Sequence, residues 1–368
     1  MQVPLLDLKA QYADIREEVL SAVNEVLDSQ ICVGGAKVAE LERVVADYCG
    51  CRQAVGVSSG TDAILNALMS LEIGRGDEVI TTPFTFFATA GCIARLGARP
   101  VFVDIEPTTY NIDPSKISRA VTAKTKVILP VHLFGQMAEM DPILAVAKEA
   151  NLAVVEDAAQ SIGATYKGHR AGAMGTCGCL SFYPSKNLGA AGDAGMVLTN
   201  DAELSRKLRL MRNHGDEATY QHRLIGGNFR LDAIQAAVLL RKMGHLEKWS
   251  GQRQKNAAYY DQAFGRCPKI ITPIVPQKNT CVYNYYVIRV PRRTEVTKHL
   301  QERGIGYSIY YPLALHMQEC FAKLGYKPGD FPESEKAAKE VVALPMYPEL
   351  TTKQMDFVVQ SVLEAVEG

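Results

Sequence analysis

The hydrophobic pattern between residues 54 and 200 alternates between short β-branched runs and longer stretches with helical spacing. The runs predicted as strands are 54–59, 77–82, 99–105, 126–133, 152–157, 178–183 and 195–200. The helices predicted between them are 61–71, 85–96, 113–121, 140–150 and 201–213. Strands separated by helices predict an α/β fold with a mostly parallel sheet and helices on both faces. Several runs are almost wholly apolar, as expected for strands that are buried on both faces.

The pattern changes beyond the segment 230–249. Residues 230–249 place apolar side chains on one helical face and are predicted as the long helix that leaves the large domain. The elements predicted beyond it are strands at 282–290 and 305–312 and helices at 295–304, 334–344 and 352–366. Thr351, with Gln354 three residues later, is a candidate capping box for the last helix. The sequence therefore predicts a large α/β domain at 1–245 and a smaller α+β domain at 246–368.

Charge and composition exclude several classes of protein. The 368 residues contain 40 Lys plus Arg and 40 Asp plus Glu, so the net charge does not favour nucleic acid or an acidic membrane as a partner. No stretch approaches about eighteen consecutive apolar residues, and the N-terminus lacks the apolar core of a signal peptide. The nine cysteines are an odd number without a C-x-x-C pair or a zinc-ligand cluster, which indicates reduced thiols, no metal site and a cytoplasmic protein.

The candidates for a functional site are the residues after each predicted strand, because ligands of an open α/β sheet bind beyond the carboxyl ends of its strands. After the first strand, a helix begins at the sequence Ser58, Ser59, Gly60 and Thr61. Free N–H groups and the positive end of the helix dipole suit a phosphate there, although an ordinary helix cap has the same composition. The chain has neither G-x-G-x-x-G after this strand nor a G-x-x-x-x-G-K-[ST] sequence, so neither a dinucleotide fold nor a P-loop is indicated.

Aromatic and acidic residues follow two other strands. The second strand is followed by Phe84, Phe86 and Phe87, of which two are expected in the core, whereas one ring could lie flat against a planar ligand. The fifth strand ends in Glu156 and Asp157, which point to opposite faces because side chains alternate along a strand. One carboxylate should therefore face the ligand crevice, unless the pair serves as a helix cap or in a salt bridge.

A single lysine, Lys186, follows the sixth strand within "SFYPSKNLGAAGDAG", residues 181–195. Pro184 fixes the turn, and the glycines after the lysine allow the backbone to approach a ligand closely. A solvated loop lysine is one interpretation, and a reactive amine is the other. With a phosphate site, an aromatic ring and an acid about thirty residues earlier, the lysine meets the needs of pyridoxal phosphate. That cofactor requires a lysine for its Schiff base and an acid to keep the pyridine nitrogen protonated.

At these motifs the chain resembles the DegT/DnrJ/StrS family of sugar aminotransferases. The resemblance runs nearly end to end, through "PLLDLKAQY", "SSGTDAI", "PFTFFAT", "VVEDAAQSIGATY", "SFYPSKNLGAAGDAG", "GGNFRLDAIQAA" and "YYPLALH". Members of the family are pyridoxal phosphate enzymes with the aspartate-aminotransferase fold, known as fold type I. The resemblance therefore implies this fold, this cofactor and an aminotransferase activity.

The resemblance also implies roles for individual residues. Lys186 matches the catalytic lysine that binds the cofactor covalently and carries the proton of the 1,3-shift, and Asp157 matches the catalytic acid at the pyridine nitrogen. The other matched cofactor-binding positions are Gly60, Thr61, Phe86, Gln160 and Ser181. Asn228 corresponds to a residue that reaches the phosphate from a neighbouring subunit, which implies a homodimer with two shared sites. The positions that match residues near the sugar nucleotide are Arg230, Tyr311 and His316.

The implied reaction moves an amino group from L-glutamate to a keto nucleotide sugar in a ping-pong course. The lysine loop "KNLGAAGDAG" is similar to that of the branch that acts on 3-keto sugars, and differs from the "KTITTGEGG"-like loops associated with 4-amino sugars. The expected substrate is a 3-keto UDP-N-acetylhexosamine or its uronic acid, for surface-polysaccharide or lipid A-type sugars. A 3-keto dTDP-6-deoxyhexose and a 4-keto sugar are the alternatives.

Two motifs depart from those of the members that act on the uronic acid. Those members carry Asn-Ser-Arg and His-Tyr-Pro, where this chain has Asn228-Phe229-Arg230 and Tyr310-Tyr311-Pro312. This departure argues against a substrate with the uronic acid carboxylate.

Three other hypotheses depend on the same residues. A sugar dehydratase of this fold would have histidine in place of Lys186, and a non-catalytic regulator would be expected to lack Lys186 or Asp157. A nicotinamide dehydrogenase would need the glycine fingerprint that the chain lacks. Because both Lys186 and Asp157 are present, the sequence favours the aminotransferase.

Overall fold

The structure is a computed structural model that describes residues 1–218 and 220–367. The α-helices are α1 (Leu8–Ser29), α2 (Gly35–Cys49), α3 (Gly60–Ser70), α4 (Phe87–Arg95), α5 (Ile117–Ala120), α6 (Met140–Glu149), α7 (Ala202–Met211), α8 (Ala233–Met243), α9 (Leu246–Phe264), α10 (Arg293–Glu302), α11 (Pro332–Glu340) and α12 (Thr352–Glu367). The strands are β1 (Gln53–Val57), β2 (Glu78–Thr81), β3 (Arg99–Phe102), β4 (Thr125–Ile128), β5 (Ala153–Asp157), β6 (Thr165–Tyr166), β7 (His169–Arg170), β8 (Cys177–Ser181), β9 (Gly195–Thr199), β10 (Asp216–Ala218), β11 (Gln221–His222), β12 (Asn279–Thr280), β13 (Tyr286–Arg289) and β14 (Val341–Leu344).

The main sheet contains the strands predicted between residues 54 and 200. Within the described residues it has seven strands, in the order β1-β9-β8-β5-β4-β2-β3. Each pair of neighbours along the row β8-β5-β4-β2-β3 is parallel. Strand β9 is antiparallel to both of its neighbours, β8 and β1. The carboxyl ends of the other six strands therefore meet the amino end of β9 at one edge of the sheet. The predicted α/β fold with a mostly parallel sheet is confirmed.

Helices cover both faces of this sheet. On one face, α3, α4 and α7 enclose a core that includes Leu68 and Leu208. On the other face, α2, α6 and α8 enclose a second core that includes Leu41 and Leu239. The buried positions of the strands are mostly apolar because the sheet lies between these two cores.

The C-terminal part has its own small sheet and core. Strands β13 and β14 pair in antiparallel fashion, with Tyr286 opposite Leu344. Helices α9, α10 and α12 pack around them through Tyr260, Leu300 and Val358, all of which are fully buried. The last helix begins with the predicted capping box, because the Thr351 N–H donates to Gln354 Oε1 at 2.9 Å and the Gln354 N–H donates to Thr351 Oγ1 at 3.3 Å.

A residue near the start of the sequence belongs to this C-terminal core. Val3 is buried among its side chains and lies beside Ile305 in a parallel bridge. The Val3 N–H donates to the Gly304 carbonyl at 3.1 Å, and the Val3 carbonyl accepts from the Gly306 N–H at 2.7 Å. The segment before α1 is thereby fixed to the C-terminal part and not to the main sheet.

Asp104, which follows β3, joins the main sheet to the C-terminal part. Its carboxylate is buried and accepts hydrogen bonds from the Ser334 N–H at 2.9 Å, the Ser334 hydroxyl at 2.6 Å and the Glu333 N–H at 3.0 Å. These N–H groups lie in the first turn of α11, where no acceptor exists within the helix. A side chain of the large sheet thus caps a helix that lies 230 residues later in the sequence.

Four of the predicted elements differ most from the observed ones in extent or type. Residues 113–121 form a 3₁₀ turn (Pro114–Lys116) and the single turn of α5, and residues 230–249 are split between α8 and α9 at Gly244 and His245. Residues 305–312 form no strand, because this segment crosses between Val3 and β14 and makes only isolated bridges. The helix predicted at 334–344 ends at Glu340, and the apolar run that follows pairs with β13 as β14.

Two further features bear on the predicted class of protein. All nine cysteines are free thiols, and seven of them are buried. Among the helices that the structure describes, none combines the length and the apolar character needed to cross a bilayer.

Candidate active site

A cavity of about 510 Å³ opens at the edge of the main sheet where the parallel strands end. Its size is typical of sites for small ligands and cofactors. The predicted site residues that line it are Gly60, Thr61, Phe86, Asp157, Gln160, Ser181, Lys186 and Tyr311. The topology therefore brings together residues that are separated by as much as two thirds of the sequence.

One end of the cavity is the amino end of α3. Ser59 caps this helix, since its Oγ accepts from the Asp62 N–H at 3.0 Å. The first-turn N–H groups, including those of Gly60 and Thr61, have no acceptor within the helix, and the helix dipole adds positive potential. The Asp62 carboxylate accepts from the Ser58 and Ser59 hydroxyls and does not line the cavity. This end of the cavity is therefore suited to an anion.

Close packing of backbone shapes the same end of the cavity. A Cβ atom at Gly60 would lie 2.6 Å from the Cβ atom of Ser181, at the end of β8. A Cβ atom at Gly195 would lie 2.3 Å from the Ser59 carbonyl oxygen. Only glycine fits at these two positions, and the result is a cradle of backbone N–H groups with the Ser181 hydroxyl beside it.

Asp157 is the acid that faces the cavity. It ends β5, is buried, and accepts from Thr89 Oγ1 at 2.7 Å and from the Ala159 N–H at 3.2 Å. Burial raises the pKa of Asp157 above its ordinary value, and these hydrogen bonds and the charge of Lys186 offset the effect only in part. A cation placed against this carboxylate would lower its pKa again. The site is thus prepared for a protonated ring nitrogen.

Glu156, one residue earlier, points to the opposite face, as the alternation along a strand predicts. Its Oε2 lies 2.7 Å from His132 Nε2, and His132 Nδ1 accepts from the Ala138 N–H at 3.2 Å, which places the proton of the neutral ring on Nε2. The backbone N–H groups that also donate to Glu156 are those of Gly172, Met174 and Gly175. Burial opposes ionisation, but these donors hold the pKa of Glu156 below its ordinary value.

Lys186 enters the cavity from a loop that is tied down at several points. The Lys186 N–H donates to the Tyr183 carbonyl at 2.8 Å, and Lys242 Nζ donates to the Gly189 carbonyl at 2.7 Å. Removal from water lowers the pKa of the Lys186 amine to about 8, although the Asp157 charge acts in the opposite direction. A substantial fraction of the amine is therefore uncharged at neutral to mildly alkaline pH, and the uncharged form is the nucleophile.

Gln160 follows β5, and both ends of its amide are fixed. Its Oε1 accepts from the Phe134 N–H at 2.8 Å, and its Nε2 donates to the Tyr311 hydroxyl at 3.0 Å. Tyr311 comes from the C-terminal part of the chain, as do Tyr285 and Tyr310, which also line the cavity. Both parts of the chain therefore build the site.

The three phenylalanines after β2 have different environments. Phe84 is fully buried, whereas Phe86 is 57% exposed and lies against the cavity. Phe87 is also partly exposed, but its ring packs on Phe321 with a centroid distance of 5.7 Å. Phe86 is thus the ring that is available to a planar ligand.

Three of the predicted site residues do not line the cavity of their own chain. Asn228 is exposed and bridges to Asn213, and Arg230 Nη1 donates to Asn213 Oδ1 at 2.9 Å. His316 is buried against Phe331, and its Nε2 lies 3.2 Å from a carboxylate oxygen of Glu335. The monomer therefore does not bring these side chains to Lys186.

Among the residues of the site that sequence reasoning missed are Thr89, Asp193, Tyr285 and Tyr310. Thr89 lies three residues after Phe86 at the start of α4, and this helical spacing could have indicated it. Asp193 is the one charged residue in the segment 187–195, and a lone charge among glycines and alanines could also have indicated a site residue. Tyr285, whose ring centroid lies 5.8 Å from Lys186 Nζ, comes from a distant segment and has no local signal.

The cavity fits pyridoxal phosphate in each of its chemical parts. A cradle of N–H groups suits the phosphate, an exposed aromatic ring suits the pyridine face, and a buried acid suits the ring nitrogen. A desolvated amine suits the aldehyde. The fold and this set of groups define a pyridoxal phosphate-dependent enzyme of fold type I.

The chain belongs to the DegT/DnrJ/EryC1/StrS aminotransferase family, whose sequence model matches residues 13–363. A pleiotropic regulatory protein of Geobacillus stearothermophilus is 50% identical, over 99% of this chain and 98% of the relative. A UDP-N-acetyl-3-dehydro-alpha-D-glucosamine 3-aminotransferase of Acidithiobacillus ferrooxidans is 41% identical, over 100% and 98%. A UDP-2-acetamido-2-deoxy-3-oxo-D-glucuronate aminotransferase of Pseudomonas aeruginosa is also 41% identical, over 97% and 98%.

Solved structures are similar over the whole chain. DesV of S. venezuelae, in complex with a ketimine intermediate, superimposes with a TM-score of 0.97 at 40% identity and covers 100% of this chain and 99% of its own. NtdA of Bacillus subtilis, with bound cofactor PMP, has a TM-score of 0.93 at 33% identity and covers 100% and 86%. The predicted family, fold type, aminotransferase class and cofactor are confirmed.

Proposed function

We propose that this protein transfers the amino group of L-glutamate to a keto nucleotide sugar, and that a 3-keto UDP-N-acetylhexosamine is the favoured substrate. The observation that carries the proposal is the desolvated Lys186 amine, which shares one cavity with a buried acid and an anion cradle. In the overall reaction glutamate becomes 2-oxoglutarate, and an amine replaces the keto oxygen of the sugar.

The proposed roles follow from the chemistry of each group. Pyridoxal phosphate, when bound, supplies an electron sink for the carbon that bears the amine. The Gly60 and Thr61 N–H groups and the Ser181 hydroxyl bind its phosphate, and Asp157 holds the proton on its ring nitrogen. Lys186, whose pKa of about 8 leaves part of the amine neutral, would hold the cofactor at its aldehyde carbon and would move a proton as a general base.

A homodimer with shared sites is part of the proposal. Asn228 and Arg230 lie outside the cavity of their own chain, and the exposed Asn228 side chain is available to a second copy. If the two sites are shared, mixing Lys186→Ala protein with Asn228→Asp protein, each of low activity, will restore part of the activity in mixed dimers. Two Lys186→Ala preparations mixed together are the control, and no recovery in the test mixture would contradict the shared site.

The proposed position of the keto group is supported by the sequence of the lysine loop, residues 186–195, and the proposed type of sugar is supported by the charges that line the cavity. The relatives from Acidithiobacillus ferrooxidans and Pseudomonas aeruginosa are named as aminotransferases of 3-keto sugars, and the second of these substrates is a uronic acid. Among the described residues that line the cavity, Lys186 is the only cation, whereas Asp157 and Asp193 are acidic. The carboxylate of a uronic acid would meet repulsion there, so the neutral hexosamine is favoured over its uronic acid.

A regulatory role is the alternative that the name of the Geobacillus relative suggests. The retained Lys186, Asp157 and anion cradle support catalysis, since a regulator without catalysis would have no need for a desolvated amine.

A substrate panel tests the proposal. Purified protein should be yellow with bound pyridoxal phosphate, and glutamate should bleach the visible band. The protein is then given glutamate and 3-keto and 4-keto sugars linked to UDP or dTDP, and each aminated product is identified by mass spectrometry and NMR. Protein that takes up no pyridoxal phosphate would overturn the function, and equal turnover of 4-keto sugars would overturn the regiochemistry.

A further inference from the structure

The amide of Gln160 is held in one orientation by two hydrogen bonds of opposite direction. Its Oε1 must be the atom that accepts from the Phe134 N–H, because a backbone N–H cannot accept. Its NH₂ group therefore faces Tyr311, and one of the two N–H bonds is used for the Tyr311 hydroxyl at 3.0 Å. The second N–H bond is left for a ligand in the cavity.

The ring of Tyr311 is held by packing. It meets the buried Phe84 edge to face, with a centroid distance of 6.0 Å, and it lies 5.9 Å from the Tyr310 ring. Burial raises the pKa of Tyr311 well above its ordinary value, so the hydroxyl stays protonated. Because its oxygen accepts from Gln160, the hydroxyl proton points away from Gln160.

We propose that Tyr311 is a positioning residue for Gln160, and that its hydroxyl acts on the ring oxygen of pyridoxal phosphate through this amide instead of binding the sugar. Two hydrogen bonds, from the Phe134 N–H to Gln160 and from Gln160 to Tyr311, join these residues in a row, and this row aims the second N–H of Gln160 into the cavity. Without the hydroxyl, the amide would lose one of the two partners that fix its rotation about the last side-chain bond. This inference rests on the proposed placement of the cofactor and is independent of the identity of the sugar.

The proposal has a spectroscopic consequence. A donor to the ring oxygen stabilises the anionic form of that oxygen and so lowers the pKa at which the lysine-bound cofactor gains its proton. In Tyr311→Phe the donor is no longer aimed, so the midpoint of the visible absorption titration should rise by about one pH unit, the amount expected for one hydrogen bond. This titration needs neither glutamate nor a sugar.

A second substitution strengthens the test. Gln160→Glu keeps the size of the side chain and the acceptor for the Phe134 N–H, but it replaces the NH₂ group with a carboxylate oxygen that repels the ring oxygen. The midpoint should rise by more than in Tyr311→Phe. Tyr110→Phe is the matched control, since Tyr110 packs in the same aromatic cluster but is not a hydrogen-bond partner of Gln160, and the substitution should leave the midpoint unchanged.

Each outcome decides the proposal. An unchanged midpoint in Tyr311→Phe overturns it, and a raised KM for the keto sugar with an unchanged midpoint would assign Tyr311 to sugar binding, as the sequence resemblance implies. A raised midpoint with an unchanged KM supports the positioning role. Wild-type protein without any visible band would show that the cofactor placement fails, and the role of Tyr311 would fall with it.

Discussion

Glu156 and Asp157 are neighbours on β5 and are both buried, but they differ in the number of hydrogen-bond donors around them and in the direction in which their pKa is shifted. Glu156 has four donors within its own chain, and its pKa is lowered. Asp157 has two donors, and its pKa is raised. On the face of the sheet that Glu156 occupies, here called the back face, the protein itself supplies the hydrogen-bond donors that the carboxylate needs. On the face that Asp157 occupies, here called the front face, the carboxylate can accept further hydrogen bonds from a ligand in the cavity.

The difference separates structural from functional acids. A buried carboxylate whose donors are all supplied by the fold stabilises that fold, since its removal leaves those donors unpaired. A buried carboxylate with too few donors costs stability unless a ligand completes it. The predictions below test this distinction between the two faces of β5.

The largest effect is expected from loss of the amine on the front face. Lys186→Ala should abolish measurable turnover and the visible band of the bound cofactor, because no other amine lines the cavity among the described residues. Turnover and absorption spectra measure this. Lys207→Ala, which breaks only a surface ion pair with Glu72, is the control and should keep both properties. Turnover retained in Lys186→Ala would contradict the assignment.

Asp157→Asn should reduce kcat by about 10²–10³, the usual cost of one electrostatic group at a reacting centre. The amide can still accept from Thr89 and carries no buried charge, so the cofactor-free protein should unfold at the same or a slightly higher denaturant concentration than the wild type. Single-turnover kinetics and urea unfolding measure the two quantities. A large loss of stability with normal kcat would reverse the roles of the two acids.

Glu156→Gln should destabilise the protein by about 3 kcal/mol, because an NH₂ group would face backbone N–H donors and one member of a buried pair is lost. Cofactor absorption should persist in the folded protein. Chemical unfolding and the absorption spectrum test this result, with Asp157→Asn as the isosteric control one residue away. A variant as stable as wild type would mean that this network does not hold the fold.

The residues on the two faces of β5 differ in how well the sequence predicted them. Asp157, Lys186 and Gly60 follow predicted strands, so the rule that ligands bind at carboxyl strand ends located them. The partners of Glu156 are mostly backbone N–H groups, which carry no residue-specific signal. Tyr285 and Tyr311 reach the cavity only through the docking of the C-terminal part, and that geometry depends on contacts between distant segments.

The same limit explains the wrong elements. The run Val341–Leu344 is apolar and follows a helical pattern, so the sequence allowed the helix to continue. Pairing with β13 decides its conformation instead, and that partner lies about fifty residues earlier. Likewise, nothing local predicts that residue 305 pairs with Val3.

A smaller effect concerns the pH dependence of cofactor uptake. The Lys186 amine must be neutral to attack the aldehyde, and its pKa is about 8 in the cofactor-free protein. The rate of covalent uptake should therefore rise roughly tenfold between pH 7 and pH 9 and level off above it. Stopped-flow absorption at constant ionic strength measures the rate. A midpoint near that of an exposed lysine would show that the amine is not desolvated.

The smallest effect concerns how the free energy of unfolding of the cofactor-free protein changes with pH, because Asp157 and Glu156 should contribute slopes of opposite sign. The pKa of Asp157 is raised by folding. Its contribution to stability is therefore present below the pKa that Asp157 has in the unfolded chain, and is lost as pH rises through the pKa of the folded protein. The pKa of Glu156 is lowered, so its contribution is present above pH 4.5 and is lost as pH falls. Relative to wild type, Asp157→Asn should gain stability as pH rises through the acid range, and Glu156→Gln should lose it. Urea unfolding at several pH values gives both slopes, and slopes of equal sign would contradict the comparison.

The bridge between Val3 and Ile305 also constrains the order in which the chain can fold during synthesis. Its two residues lie about 300 positions apart, so Val3 cannot form this bridge until residue 305 has left the ribosome. The main sheet can close earlier, because its strands all lie before residue 200. Val3, an apolar residue that ends in a core, must then wait in water, and a nascent chain stalled before residue 305 should expose residues 1–7 to protease while β1 to β9 are already protected.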